Sequence, residues 1–123
     1  MKKYLLGSIG IMFLAGCALF MQTVATPTFS PGSGVYTNSV TVSVDCATED
    51  ATIKIKRSVV FYSNANLSLP PAVTVEDEWT EYTGALTFRT NIYVVVKVTL
   101  SAYAEKEGMK PSATNSATYE LRK

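Results

Sequence analysis

The 123-residue chain contains no histidine and only two cysteines. Without imidazole it lacks the commonest general base and metal ligand, so no Ser-His or Cys-His nucleophile can be assembled. A zinc site would need cysteine or carboxylate ligands, and no cluster of them has the required spacing. Charge of one sign is also missing. Eleven basic side chains face ten acidic ones, for a net charge of +1, which gives no basic face for nucleic acid. No segment past the first residues has helical periodicity. These absences predict a non-enzymatic chain with no cofactor, no metal and no nucleic-acid partner.

What is present begins with Lys2 and Lys3, followed by thirteen uncharged residues from Tyr4 to Gly16. A membrane-spanning helix needs about 20 apolar residues. Thirteen suits the apolar region of a secretory signal peptide instead. The run closes on Leu14-Ala15-Gly16-Cys17, which resembles the lipobox of bacterial lipoproteins. The resemblance implies cleavage between Gly16 and Cys17 and attachment of diacylglycerol to the Cys17 thiol. Two or more acyl chains, palmitate among them, would then hold the chain on a membrane. An ordinary secretory leader with a stray cysteine is the plainer alternative. Ala18 stands where some bacteria place an inner-membrane retention aspartate. This implies the outer membrane if the cell has one, and otherwise the outer face of the cytoplasmic membrane. The expected organisation is a leader over 1–16, a lipidated tether over 17–26 and one domain over 27–123. Loss of Lys2 and Lys3 would turn the net charge from +1 to −1. A lipidated Cys17 leaves Cys46 without a disulfide partner, so Cys46 is expected to be buried as a small apolar residue.

The domain shows period-two alternation. Val40, Val42, Val44 and Cys46 share one face, with Thr41, Ser43 and Asp45 on the other. Thr52–Lys56 repeats the pattern, with Ile53 and Ile55 inward. Leu86–Phe88 follows the turn signal Thr83-Gly84, and Ala117–Leu121 makes a last strand. From Asn91 to Ala104 the even positions, Ile92 to Ala104, form one apolar face, while the odd ones are mixed. Fourteen extended residues would reach about 46 Å, too long for a domain of this size, so a bulge or bend is expected there. Several short strands between turn residues predict an all-β fold, an immunoglobulin-like antiparallel β-sandwich of about seven strands.

Pro27-Thr-Phe29-Ser30-Pro31-Gly32-Ser-Gly34-Val-Tyr36, Ala51-Thr52-Ile53, Tyr82-Thr83-Gly84, Gly108-Met-Lys-Pro111-Ser112 and Ala117-Thr118-Tyr119 occur in that order. Together they resemble the chitobiase/β-hexosaminidase C-terminal-type domain over about residues 26 to 121. The resemblance implies a fibronectin- or immunoglobulin-like sandwich and contact with carbohydrate or a cell surface. Pro27 and Pro31 suit an edge segment. Gly32 and Gly34 allow a tight turn with positive φ, and Phe29 and Tyr36 can plug the sandwich end. The segment Arg57–Trp79 departs from the family pattern and reads as a long insertion without its Asp-Gly turn. Residues 89–97 also read as added.

Two clusters carry possible chemistry. Glu76-Asp77-Glu78 with Glu81 could supply a carboxylate pair or calcium ligands, but it lacks a calcium-loop motif, and a solvated edge is the plainer reading. Tyr62, Trp79, Tyr82 and Tyr93, with Phe61 nearby, could form a platform that stacks on sugar rings, with Asn64 and Asn66 as hydrogen-bonding groups. Packing of the sandwich edge is the alternative. Asn66-Leu67-Ser68 matches the N-glycosylation pattern, which carries no weight in a bacterial lipoprotein. The sequence as a whole predicts a cell-envelope lipoprotein that meets carbohydrate or a cell-surface protein. The alternative is a spacer that contacts a protein partner.

Overall fold

The computed structural model describes residues 21–67 and 69–123. The expectations for the leader, Gly16 and Cys17 lie outside the described residues.

Among the described residues nine strands form: β1 (Thr28–Ser30), β2 (Gly34–Thr37), β3 (Ser39–Asp45), β4 (Thr52–Tyr62), β5 (Val73–Glu76), β6 (Thr80–Glu81), β7 (Leu86–Arg89), β8 (Val95–Glu105) and β9 (Asn115–Arg122). No helix occurs among the described residues. One sheet has the order β1-β3-β7. The other has the order β2-β9-β8-β4-β5, with β6 also on β4. The two sheets pack into an all-β sandwich. Their order matches the immunoglobulin arrangement of A, B and E against G, F, C and C′. Two details differ from expectation. There are nine strands rather than about seven, and β2 runs parallel to β9. The parallel pairing and one added strand follow from the first strand being split; the other addition is the two-residue β6 on β4. β1 pairs with β3, the chain crosses over through Pro31 and Gly32, and β2 joins the opposite sheet.

The core is built by alternation. In β3, Val40, Val42 and Val44 are buried while their neighbours are exposed. In β8, Val96, Val98, Leu100, Ala102 and Ala104 are buried. All of these but Ala104 meet Ile55, Val59, Phe88, Ala117, Tyr119 and Leu121 in one cluster. Phe29 and Tyr36 pack partly buried against it, as the sequence suggested. Tyr119 closes the cluster beneath the crossover. Its hydroxyl donates to the Pro31 carbonyl at 2.6 Å, and its ring lies 5.9 Å from that of Tyr36. The Asn115 amide donates to the Pro27 carbonyl at 2.9 Å.

Four expectations are corrected. β8 begins at Val95, because residues 90–94 make a turn closed by the Tyr93 N–H donating to the Thr90 carbonyl at 2.9 Å. Asn91 there has φ 54°. This turn is the bend that the length argument required, and it leaves Ile92 82 % exposed rather than on the inner face. Second, Arg57–Trp79 is not a separate loop. Val59 and Phe61 continue the inward series of Ile53 and Ile55, so β4 runs on to Tyr62 and returns as β5. Arg57 falls at an inward position of that series and ion-pairs with Asp77. Third, neither Gly32 nor Gly34 has positive φ. Among described glycines only Gly108 does, at 85° in the β8–β9 turn. Fourth, Cys46 is half-buried, and its thiol donates to the Ala25 carbonyl at 3.1 Å.

The second half of the expected tether lies against the domain. Val24 is buried, Thr23 forms a parallel bridge with Lys110, and the Ala25 N–H donates to Thr48 Oγ1 at 2.9 Å.

Leu100 sits at the middle of β8 and is fully buried. Leu100→Ala should cost about 2–5 kcal/mol in denaturant unfolding, whereas Ile92→Ala should stay within about 0.5 kcal/mol. Equal effects would contradict the register of β8. Burial, and then the Tyr36 hydroxyl, raise the pKa of Tyr119 above its ordinary 10.0. The folded chain therefore holds this proton to higher pH than the unfolded one. The contribution is intact below about pH 10 and is lost as pH rises beyond that. Tyr119→Phe should flatten the loss of stability above pH 10.

Candidate functional site: the outer face of the larger sheet

The alternation that buries one side of β8 turns the other side to solvent. Lys97, Thr99, Ser101, Tyr103 and Glu105 stand there, all part-exposed. β4 sets Lys56 beside Ser101 and Lys54 beside Tyr103. On the other flank, β9 sets Ser116 beside Ser101 and Thr118 beside Thr99. The Ser101 and Ser116 hydroxyls are hydrogen-bonded at 3.0 Å. The result is a band of short hydroxyl side chains, each able to donate and accept.

Trp79 rises at one edge of this band. It lies between β5 and β6, which both hydrogen-bond to β4, so the chain turns back at the sheet edge. Its indole and the Tyr103 ring pack in a T-shape, with ring centroids 4.9 Å apart and planes at 76°. Lys56 Nζ lies 5.1 Å from the indole centroid, within cation–π range. Even so, Trp79 stays 37 % exposed. Beside it a hollow of about 60 Å³ is lined by Lys56, Ser58, Glu76, Thr99 and Ser101, among others. The Arg57–Asp77 ion pair borders it and also borders a larger cleft of about 290 Å³. That cleft includes Ile55, Thr80, Tyr82 and Leu86. An aromatic face carries negative charge density and attracts the slightly positive C–H edge of a sugar ring. The hydroxyls and lysines alongside can hydrogen-bond sugar oxygens.

The aromatic residues expected to form one platform are divided. Trp79 is on the outer face. Tyr62 has outward strand parity, but it is six residues along β4 from Lys56, about 20 Å away. Tyr82 packs against the core, and its hydroxyl accepts the Val44 N–H at 3.2 Å. The Tyr93 ring rests on Phe61, with centroids 4.7 Å apart, and also packs against the core. The partner that Trp79 does find is Tyr103. Its odd position in the long β run was the one signal available, and strand register was needed to bring it to Trp79.

The acidic run is dispersed in the same way. Glu76 pairs across from Ser58 and Glu81 across from Lys54, while Asp77 is held by Arg57. No group of three or more metal-ligating side chains forms among the described residues. Asn64 Oδ1 accepts the Asn66 N–H at 2.9 Å, which closes a local turn. Ser68 of the Asn-Leu-Ser sequence lies outside the described residues. The fold defines the class as an all-β sandwich with immunoglobulin strand order. No protein-family model, curated protein or solved structure matches the chain.

Trp79 fluorescence should be partly quenched by acrylamide, to a degree between a buried and a free indole. Tyr103→Ala should increase the quenching and shift emission to the red. Complete protection of Trp79 in the wild-type chain would contradict the exposed arrangement.

Proposed function

We propose that this chain is a lipid-anchored envelope protein whose β-sandwich is a non-catalytic carbohydrate-binding module. The single observation behind the binding reading is the Trp79–Tyr103 pair, half-exposed and bordered by Lys56 and the Ser101–Ser116 hydroxyls. Such a surface suits a glycan chain lying across the strands, with one ring on the indole and the next over the hydroxyl band. The motifs that resemble chitobiase C-terminal-type domains would imply the same class of ligand. The anchor rests on Leu14-Ala15-Gly16-Cys17 behind a basic start and an apolar run. Cys17 is its lipid attachment point, and the membrane is its first partner.

A second reading has one observation in its favour. Ile92, at the end of the sandwich away from Trp79, is 82 % exposed. A spacer that touches a protein partner through that end would use it.

Residues 21–123, incubated with chitin, purified cell-wall polysaccharide and a glycan panel, should bind at least one glycan saturably. Trp79→Ala should weaken binding at least tenfold, and Ile92→Ala should leave it unchanged. Absence of binding to every glycan would remove the carbohydrate reading and leave the spacer.

A further inference from the structure

The segment that leads to the anchor is fastened at one end of the sandwich. The Val24 N–H donates to the Lys110 carbonyl at 2.9 Å, and the Lys110 N–H donates to the Gln22 carbonyl at 2.8 Å. Two further bonds, from the Ala25 N–H to Thr48 and from the Cys46 thiol to the Ala25 carbonyl, hold it to the β3–β4 loop. The base of the domain is thus the β3–β4 and β8–β9 loops. Five peptide steps separate Gln22 from Cys17, and fully extended they reach about 18 Å at most.

The Trp79–Tyr103 pair sits in the same half of the molecule. Tyr103 is two residues from the end of β8 at Glu105, about 7 Å. Tyr62 and Ile92 lie at the opposite end of the strand. The base carries Glu49, Asp50, Glu105 and Glu107 against Lys106 and Lys110. Acidic side chains are therefore in excess at this end.

We infer that the anchored domain stands on this end, with the Trp79–Tyr103 face in the half of the sandwich nearer the bilayer. Its ligand is then a polysaccharide of the cell's own envelope, in the layer directly above the anchoring membrane, and not a glycan on another surface. The inference rests on the lipid-anchored, glycan-binding reading above.

Trp79 is the only tryptophan and serves as the donor. Residues 17–123 carrying Cys46→Ser would be coupled through Cys17 to maleimide-lipid vesicles that also contain a dansyl-headgroup lipid. Strong energy transfer from Trp79 is expected. It should fall at least threefold when ten Gly/Ser residues are inserted after Ala18. Weak transfer in the native-length tether, or transfer that ignores the insertion, would overturn the orientation. In intact cells, p-benzoylphenylalanine in place of Ser116 should crosslink to the cell's own polysaccharide. Adducts formed only with added external glycan would overturn the ligand assignment. Chemical coupling keeps the vesicle result independent of acylation in the cell. A Cys17→Ser chain that still fractionates with membranes would therefore defeat the anchor reading alone.

Discussion

Strand β8 carries the constraint on which the rest depends. Its side chains must alternate, and both of its faces are used. One face supplies Val96, Val98, Leu100, Ala102 and Ala104 to the core. The other supplies Thr99, Ser101 and Tyr103 to the outer surface. Because β4 and β9 pair with it along most of its length, a slip of one residue would invert both faces at once. The packed core therefore fixes the geometry of the exposed band. Tyr103 can meet Trp79 only because Leu100 and Ala102 are inward.

The sandwich is tied at two places by different means. Midway along β9, Tyr119 reaches from the core to the Pro31 carbonyl and ties β9 to the point where the chain changes sheets. At the other, the segment before β1 is bonded to Lys110 and Thr48. That bonding makes the segment before β1 a fixed part of the fold.

Much of this was legible in the sequence. Period-two runs at Val40–Val44 and from Val96 to Ala104 located two central strands and their buried faces. What was lost came from long-range pairing. The continuation of β4 past Arg57 was hidden because a charged residue interrupts its inward series. That side chain stays 47 % exposed and pairs with Asp77, twenty residues away in sequence. Ile92 matched the parity of an inward residue, but the turn at Asn91 removed it from the strand. The aromatic site was half legible. Trp79 stood out as the sole tryptophan, whereas its partner could be chosen only once β6 and β8 were known to flank β4. Tyr82 and Tyr93 were drawn into the core by packing that no local pattern encodes.

The central claim is that one strand divides a packed core from a ligand-facing surface. Backbone amide NMR of residues 21–123, titrated with a glycan that the chain retains, tests it most directly. The account predicts shifts concentrated at Lys56, the Trp79 indole, Ser101, Tyr103 and Ser116, with little change at Ile92 and the Ser63–Ala72 loop. Shifts centred on Ile92 and that loop, with Trp79 and Tyr103 unmoved, would contradict it.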